Sequence, residues 1–291
     1  MTLPRFELFK PSTLAEALDM LSATPDAMPI AGGTNLIVDM RSGKLQPGTL
    51  VDIGGLRELC CIREKDGHLL IGGGVKIVEL LDNPMIERDV PILGKMAQSF
   101  ANALIRNRAT VGGNLVNAAP CADTAPVLLV LDTQVELMST SGPRWMPLCD
   151  FLVGAFETKR RPDELLTTIR FPIPPSRSAG GFRKMGLRKI SCMAKVDVAA
   201  YVERDETGHC RVARLALGAA SAAAMRVPEA EAALAGQSLT PERIDEAARW
   251  AETAAQPRAG SEYKHRVVYG LARRILTEIA SCPAGTKGEA R

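Results

Sequence analysis

Four glycine-containing turns constrain what this 291-residue chain can fold into. Three short apolar segments, at residues 28–30, 50–53 and 68–71, each run directly into two or three glycines. A fourth turn, Gly112-Gly113-Asn114, follows a predicted helix at residues 91–103. Short strands that alternate with helices are typical of an α+β or α/β arrangement.

The second half of the chain shows a different pattern from the first. Residues 171–181 are rich in Pro, Ser and Gly, and this composition predicts a linker. Two strands and three helices are predicted beyond it, at residues 194–203, 211–219, 228–234, 241–255 and 262–279. Strands followed by helices indicate an α+β domain of roughly a hundred residues.

Charge and hydropathy exclude several classes of function. The 36 basic and 33 acidic residues give a net charge of +3, which is too small to indicate a nucleic-acid-binding protein. No apolar run reaches the ~18 residues of a membrane span. The N-terminal segment has no charged stretch followed by an apolar one, so no secretory signal is expected. We therefore expect a cytoplasmic protein.

The seven cysteines predict neither disulfides nor a metal centre. They are odd in number and scattered, and no two have the spacing of a zinc or iron–sulfur motif. The chain also has only three histidines. We expect reduced thiols and no metal bound by this chain.

The glycine turns suggest an anion site. Glycine lets the backbone adopt positive φ and approach a ligand closely, and successive N–H groups in such turns form anion-binding concavities. Residues 32–35 and 112–114 could together hold the pyrophosphate of FAD or NAD, although each could also be a simple turn. The chain contains neither a P-loop motif nor a G-x-G-x-x-G fingerprint, which disfavours a P-loop NTPase or a Rossmann fold.

Five motifs in order carry a resemblance to a known family. They are IAGGTNL at 30–36, IRNRATVGGN at 105–114, APCADTAPVL at 119–128, RPDELL at 161–166 and FRKMG at 182–186. With these motifs the sequence resembles the FAD-binding (medium) subunit of the molybdenum hydroxylases, the xanthine dehydrogenase and CO dehydrogenase family. The resemblance covers essentially the whole chain.

The resemblance implies an α+β fold with two domains. A two-part PCMH-type FAD-binding domain is expected over residues 1–175, divided into 1–56 and 57–175. A smaller α+β domain like the C-terminal domain of CO dehydrogenase flavoproteins is expected over 176–283, followed by a tail at 284–291.

The resemblance also assigns residues to FAD. A first loop would wrap the pyrophosphate through backbone N–H groups: Pro29, Ile30, Ala31, Gly32, Gly33, Thr34, Asn35 and Leu36. A second pyrophosphate wall would comprise Thr110, Val111, Gly112, Gly113 and Asn114. Asp123 would accept hydrogen bonds from FAD hydroxyl groups, and Leu165 or Leu166 would contact the flavin through the backbone. Lys184 would approach the isoalloxazine ring, unless a one-residue shift puts Arg183 there.

Two further residues carry open interpretations. Phe100 is either an aromatic residue that stacks near the adenine or a core residue at the end of its helix. Cys121 stands where the family pattern has serine or alanine.

The first loop contains no histidine, so FAD is expected to bind non-covalently. The basic run 159–161 is either a solvated face or a docking surface for an acidic partner.

The implied function is electron transfer within a complex. A large partner subunit would carry a molybdenum–pterin cofactor, and a small one two [2Fe–2S] clusters, with assembly as a dimer of heterotrimers. This chain would pass electrons through FAD to an acceptor such as NAD or a quinone, and it would need no catalytic side chain of its own. The alternatives are a stand-alone FAD-dependent oxidase or dehydrogenase of the same fold, and a binding protein that has lost FAD.

Overall fold

The N-terminal part of the chain is a small parallel sheet with a helix packed on it. The computed structural model describes residues 3–188 and 192–282, together with the backbone of 288–289. Strand β3 (Thr49–Asp52) lies between β1 (Glu7–Phe9) and β2 (Ala27–Ile30), and both pairings are parallel. Helix α1 (Leu14–Ala23) supplies the apolar side chains that cover this sheet.

Helix α1 begins within the sequence Thr13-Leu14-Ala15-Glu16, a capping-box pattern that predicts the start of a helix. The Oγ1 of Thr13 accepts a hydrogen bond from the Glu16 N–H, and the Glu16 carboxylate accepts one from the Ser12 N–H. Such reciprocal bonds satisfy N–H groups that have no partner within the helix. Leu18 and Leu21 then lie buried on one helix face.

The middle of the chain forms a five-stranded antiparallel sheet covered by short helices. The strand order is β4 (Ile62–Lys65), β5 (His68–Gly72), β10 (Leu165–Pro172), β6 (Gln134–Ser139) and β7 (Gly142–Pro147). A small hairpin pairs β8 (Leu152–Gly154) with β9 (Glu157–Thr158). Helix α2 (Leu36–Arg41) belongs to the N-terminal part. The α-helices of the middle part are α3 (Pro84–Asp89), α4 (Pro91–Ser99), α5 (Ala103–Arg106), α6 (Val111–Asn117), α7 (Thr124–Val130) and α8 (Leu148–Phe151), and short 3-10 helices span Arg57–Leu59 and Ile77–Leu80.

The C-terminal part is a second five-stranded sheet. The strand order is β14 (Met225–Arg226), β13 (Cys210–Gly218), β12 (Val196–Arg204), β11 (Ser178–Met185) and β15 (Gly288–Glu289). All pairings are antiparallel except that of β15 with β11. Three helices carry much of its separate apolar core: α9 (Pro228–Leu234), α10 (Pro241–Ala254) and α11 (Tyr263–Ser281).

The C-terminal sheet is buried on both faces. Helices α9 and α11 contact one face, and helices α4 and α7 of the middle part contact the other. Phe182 and Tyr201 therefore belong to the same apolar cluster as Leu128 of α7. Because the central strand β12 is covered on both faces, its sequence VDVAAYV at 196–202 is almost continuously apolar rather than alternating.

The structure corrects three of the sequence predictions. The linker is much shorter than residues 171–181, because β11 begins at Ser178 and Gly180 packs against Ile92. Helix α4 ends at Ser99 instead of residue 103, since Phe100 is extended and Ala101 has φ 38°. Gly112 and Gly113 lie in the first turn of α6 rather than in a loop. Within residues 3–188 and 192–282, no helix is long and apolar enough to cross a membrane.

Candidate functional site

The first glycine loop, residues 31–35, connects β2 to α2 and presents unused backbone donors. Two of its carbonyl groups accept hydrogen bonds: the Gly33 oxygen accepts from the Ile37 N–H, and the Asn35 oxygen from the Asp39 N–H. The N–H groups of residues 31–35 donate to no residue that the structure describes. Gly33 has φ +68°, a conformation that L side chains rarely adopt. The loop is therefore a row of free N–H groups of the kind that binds anions.

The second glycine motif differs from the first because its donors are used internally. Thr110 caps α6 by accepting the Gly113 N–H at 3.0 Å. The Gly112 N–H donates to the Gly73 oxygen at 2.9 Å, and the Asn114 N–H donates to the Thr110 oxygen. This segment can therefore form a wall beside a ligand, but the N–H groups of Gly112, Gly113 and Asn114 are not free to hold it.

Glycine 32 lets the first loop contact the start of the second motif directly. A Cβ atom on Gly32 would lie 2.0 Å from the backbone oxygen of Arg108, so only glycine fits there. The Nε of Arg108 also donates to the Gly32 oxygen at 3.1 Å. Arg108 thus fixes the two motifs against each other, a role that the sequence analysis missed although Arg108 lies within one of the quoted motifs.

The backbone of Leu166 lies close to the second glycine motif. A Cβ on Gly73 would lie 2.1 Å from the Leu166 oxygen, and one on Gly112 would lie 2.6 Å from the Gly73 oxygen. These three backbones are therefore stacked in close contact. The side chains of Leu165 and Leu166 are buried in two different apolar clusters, so only their backbones are available to a ligand.

Asp123 and Lys184 form a buried ion pair. Asp123 immediately precedes α7, and Lys184 lies near the end of β11. The Lys184 Nζ is 2.6 Å from Asp123 Oδ2 and 3.3 Å from the Ser99 oxygen. Burial raises the pKa of Asp123 to about 6, against the opposing effect of the Lys184 ammonium group. The pair is linked to the second motif because the Thr124 hydroxyl donates to the Asn114 side-chain oxygen.

The structure also bears on two interpretations that the sequence left open. The Arg183 guanidinium points away from Asp123 and binds the Glu278 carboxylate at 2.6 Å, since neighbouring residues of a strand face opposite sides. Phe100 is 7% exposed and packs in the main apolar core, which supports its interpretation as a core residue. Arg160 is not simply solvated, because its Nη1 donates to three backbone oxygens around Glu164.

A second carboxyl group, Asp197, lies beside this pair and was missed. Burial, followed by the Asp123 charge, raises the pKa of Asp197 well above its ordinary value. The signal in the sequence is an aspartate inside the otherwise apolar strand VDVAAYV at 196–202. A buried carboxyl group in such a strand is costly unless a neighbour compensates it.

Two protein-family models match successive parts of the chain. Residues 4–174 match the FAD binding domain in molybdopterin dehydrogenase, and residues 182–279 match the CO dehydrogenase flavoprotein C-terminal domain. The two matches occur in the order expected from the motifs, and together they span most of the chain.

Three relatives show how far the similarity extends. The chain is 29% identical over 280 residues to the xanthine dehydrogenase FAD-binding subunit of Escherichia coli O157:H7, covering 94% of this chain and 96% of that one. It is 30% identical over 276 residues to the carbon monoxide dehydrogenase medium chain of Afipia carboxidovorans, covering 93% and 95%. Among solved structures, carbon monoxide dehydrogenase from Hydrogenophaga pseudoflava lacking the Mo-pyranopterin moiety matches with a TM-score of 0.92, at 28% identity over 96% of this chain and 98% of that one.

These matches confirm the predicted family and the predicted α+β fold with its two-part FAD-binding domain and CO dehydrogenase flavoprotein C-terminal domain. They also agree with the free N–H groups of the first loop, which suit the anionic pyrophosphate of FAD. The chain therefore belongs to the FAD-binding subunits of the molybdenum hydroxylase family and is an oxidoreductase subunit.

Proposed function

We propose that this chain holds FAD non-covalently and relays electrons from the [2Fe–2S] clusters of a small partner subunit to an acceptor such as NAD or a quinone. In the same proposal, a large partner subunit with a molybdenum–pterin cofactor hydroxylates the substrate. The medium-chain relatives support this division of labour, because the chain matches them over nearly their full length. When bound, FAD supplies the redox chemistry, and the protein supplies binding, orientation and electrostatics.

The observation that carries the proposal is the row of free N–H groups at residues 31–35. Such a row neutralises an anion without any lysine, and the close approach of a phosphate requires glycine rather than larger residues. We assign the pyrophosphate to this loop, from Pro29 to Leu36. Residues 110–114 would form the opposite wall.

The charged groups at the other end of the site would act on the flavin. A Lys184 ammonium group in a water-poor site stabilises negative charge that develops on a neighbouring group far more than it would in water. It is therefore suited to the reduced, anionic flavin. The Asp123 carboxylate can accept more hydrogen bonds than the one it takes from Lys184, so it could also accept one from an FAD hydroxyl group.

Two glycines with the same backbone conformation provide a matched test of the pyrophosphate loop. Gly33 has φ +68° beside Ile30 and Ile37, and Gly67 has φ +72° in an open turn with nothing within 4 Å. Alanine strains the backbone similarly at both positions. We expect Gly33→Ala to weaken FAD binding at least tenfold and Gly67→Ala to leave it unchanged, as measured by quenching of flavin fluorescence. Equal affinities in the two variants would contradict the assignment.

A separate experiment tests the relay against the stand-alone oxidase. The intact complex and this chain alone are each given the substrate of the complex under anaerobic conditions. We expect the flavin absorbance to bleach only in the complex, because electrons must arrive from the partner subunits. Bleaching and turnover by the isolated chain would favour the stand-alone enzyme.

We further infer that the complex is cytoplasmic and assembles as a dimer of heterotrimers. All seven cysteines carry free thiols, as is usual in a reducing compartment. Fractionation of native cells and light scattering of the purified complex test both statements. A periplasmic location, or a mass that fits a single heterotrimer, would contradict them.

A further inference from the structure

Asp197 is a buried carboxyl group in an otherwise apolar strand. It is the second residue of β12 and is completely buried. Its partner across the sheet is Gly218 of β13. A Cβ atom on Gly218 would lie 1.9 Å from Asp197 Oδ1, so the side chain of Asp197 fills the space that another residue at 218 would need.

The hydrogen bonding of this carboxyl group is incomplete unless it carries a proton. Within the described part of the chain, no N–H or hydroxyl group donates to either oxygen of Asp197, or to Asp123 Oδ1. The two carboxyl groups are neighbours, and a hydrogen bond between them lowers the pKa of Asp123 and raises the pKa of Asp197. Two carboxylates only accept hydrogen bonds, so this contact is attractive only when one of them is protonated.

The neighbouring charges favour the proton on Asp197 rather than on Asp123. Asp123 is in contact with the Lys184 ammonium group, which favours its ionised form. Asp197 is buried more completely and faces the Asp123 charge, and Lys184 and Lys264 lower its pKa without forming an ion pair with it in the part of the chain that the structure describes. The Lys264 ammonium group donates instead to the Ala219 oxygen at 2.6 Å. The thiol of Cys121, a further titratable neighbour, has a raised pKa because of burial and is uncharged near neutral pH.

We propose that Asp197 is a positioning residue of the FAD site: a neutral carboxylic acid whose O–H donates to Asp123 and holds that carboxylate against Lys184. The proposal rests on the proposed function, in which Lys184 faces the flavin. Asp197 itself would not touch FAD. Its proton leaves one cation and one anion in the buried cluster, so no surplus negative charge opposes reduction of the flavin.

Substitutions of Asp197 by asparagine and by leucine distinguish the effect of the donated proton from the effect of side-chain packing. The amide of Asp197→Asn is neutral and can still donate to Asp123, whereas Asp197→Leu keeps the branched shape, with methyl groups in place of the oxygens, and has no donor. Asp19→Asn, on the exposed face of α1, is the matched control for loss of an aspartate. The native complex is labelled with ¹³C-aspartate, and the infrared spectrum is recorded at neutral pH with FAD affinity measured in parallel.

We expect a carbonyl band of a protonated aspartic acid in the native protein and in Asp19→Asn, and its loss in Asp197→Asn. We expect FAD affinity to be kept in Asp197→Asn and to fall by about tenfold or more in Asp197→Leu, since a charge-assisted hydrogen bond is lost. If Asp197→Leu fails to fold, the band in the native protein and in Asp197→Asn still decides the question.

A native protein that binds FAD but shows no protonated-aspartate band would overturn the role of Asp197 and leave the proposed function intact. A band that persists in Asp197→Asn would overturn it equally. A protein that shows the band but takes up no FAD would overturn the proposed function instead, and the two failures are thereby distinguished.

Discussion

The Lys184 Nζ lies 2.6 Å from Asp123 Oδ2 and 3.3 Å from the Ser99 oxygen, so one buried ammonium group joins β11 to the start of α7 and the end of α4. It therefore connects the C-terminal sheet to the part of the chain that matches the FAD-binding domain. The ion pair belongs both to the interior packing and to the proposed flavin site.

Removal of this ammonium group should cost both stability and FAD affinity. We expect Lys184→Met to lower the free energy of unfolding by about 3 kcal/mol, because it leaves the Asp123 carboxyl group buried without its partner. FAD should also bind at least tenfold more weakly. Urea denaturation and FAD titration check this, with the exposed Lys65→Met as control. A Lys184→Met variant that matches the control in both measurements would contradict the account.

The raised pKa of Asp123 predicts that its contribution to stability decreases as the pH rises. The ordinary value is 3.8 and the value in the folded protein is about 6, so the folded state binds the proton more tightly than the unfolded state. The resulting contribution is fully present below about pH 4 and is lost as the pH rises through 6, by up to ~3 kcal/mol. The measurement is the difference in unfolding free energy between wild type and Asp123→Asn from pH 4 to pH 7. A difference that stays constant, or that changes in the opposite direction, would refute it.

Glu164 should show the opposite pH dependence. Burial raises its pKa, but hydrogen bonds from the Arg144 guanidinium and the Arg161 N–H outweigh burial, and the net shift is downward from 4.5. Its stabilisation is therefore present above pH 4.5 and lost as the pH falls below that value. Compared with Glu164→Gln, the wild type should lose stability on acidification. Parallel acid-denaturation curves for the two proteins would show that the pairing contributes nothing.

The substitution Gly32→Ala should push the first glycine loop away from the start of the second glycine motif. Its new Cβ would overlap the Arg108 backbone oxygen, and backbone cannot move aside as a flexible side chain can. We expect a loss of about 2 kcal/mol of stability, together with loss of FAD binding. Gly55→Ala is the control, because nothing lies within 4 Å of a Cβ there. Thermal unfolding with and without FAD measures both effects, and a normal FAD-induced rise in Tm for Gly32→Ala would be the contrary result.

Local signals in the sequence predicted the elements whose ends are fixed by local chemistry. Helix α1 begins at Leu14, directly after its capping residue Thr13, and α9 spans residues 228–234 as predicted. Helix α4 ends at Ser99, before the predicted residue 103, because the side chain of Asn102 caps the following helix α5. A second cap just downstream is a local signal that the apolar spacing alone did not reveal.

The features that the sequence could not predict depend on contacts between distant residues. Gly112 was expected in a turn because glycine adopts positive φ readily, yet it is the second residue of α6, where a Cβ would lie 2.6 Å from the Gly73 oxygen. The partner of Lys184 lies 61 residues away, and the assignment of Asp123 came from a motif rather than from geometry. Asp197 was visible as an acid in an apolar strand, but its role required the fold.

The central claim, that this chain binds FAD non-covalently, is tested most directly by the absorption spectrum of the purified chain before and after acid precipitation. The account predicts flavin bands, with about one FAD per chain released into the supernatant. A colourless chain that takes up no added FAD, or a flavin that stays with the precipitated protein, would contradict it.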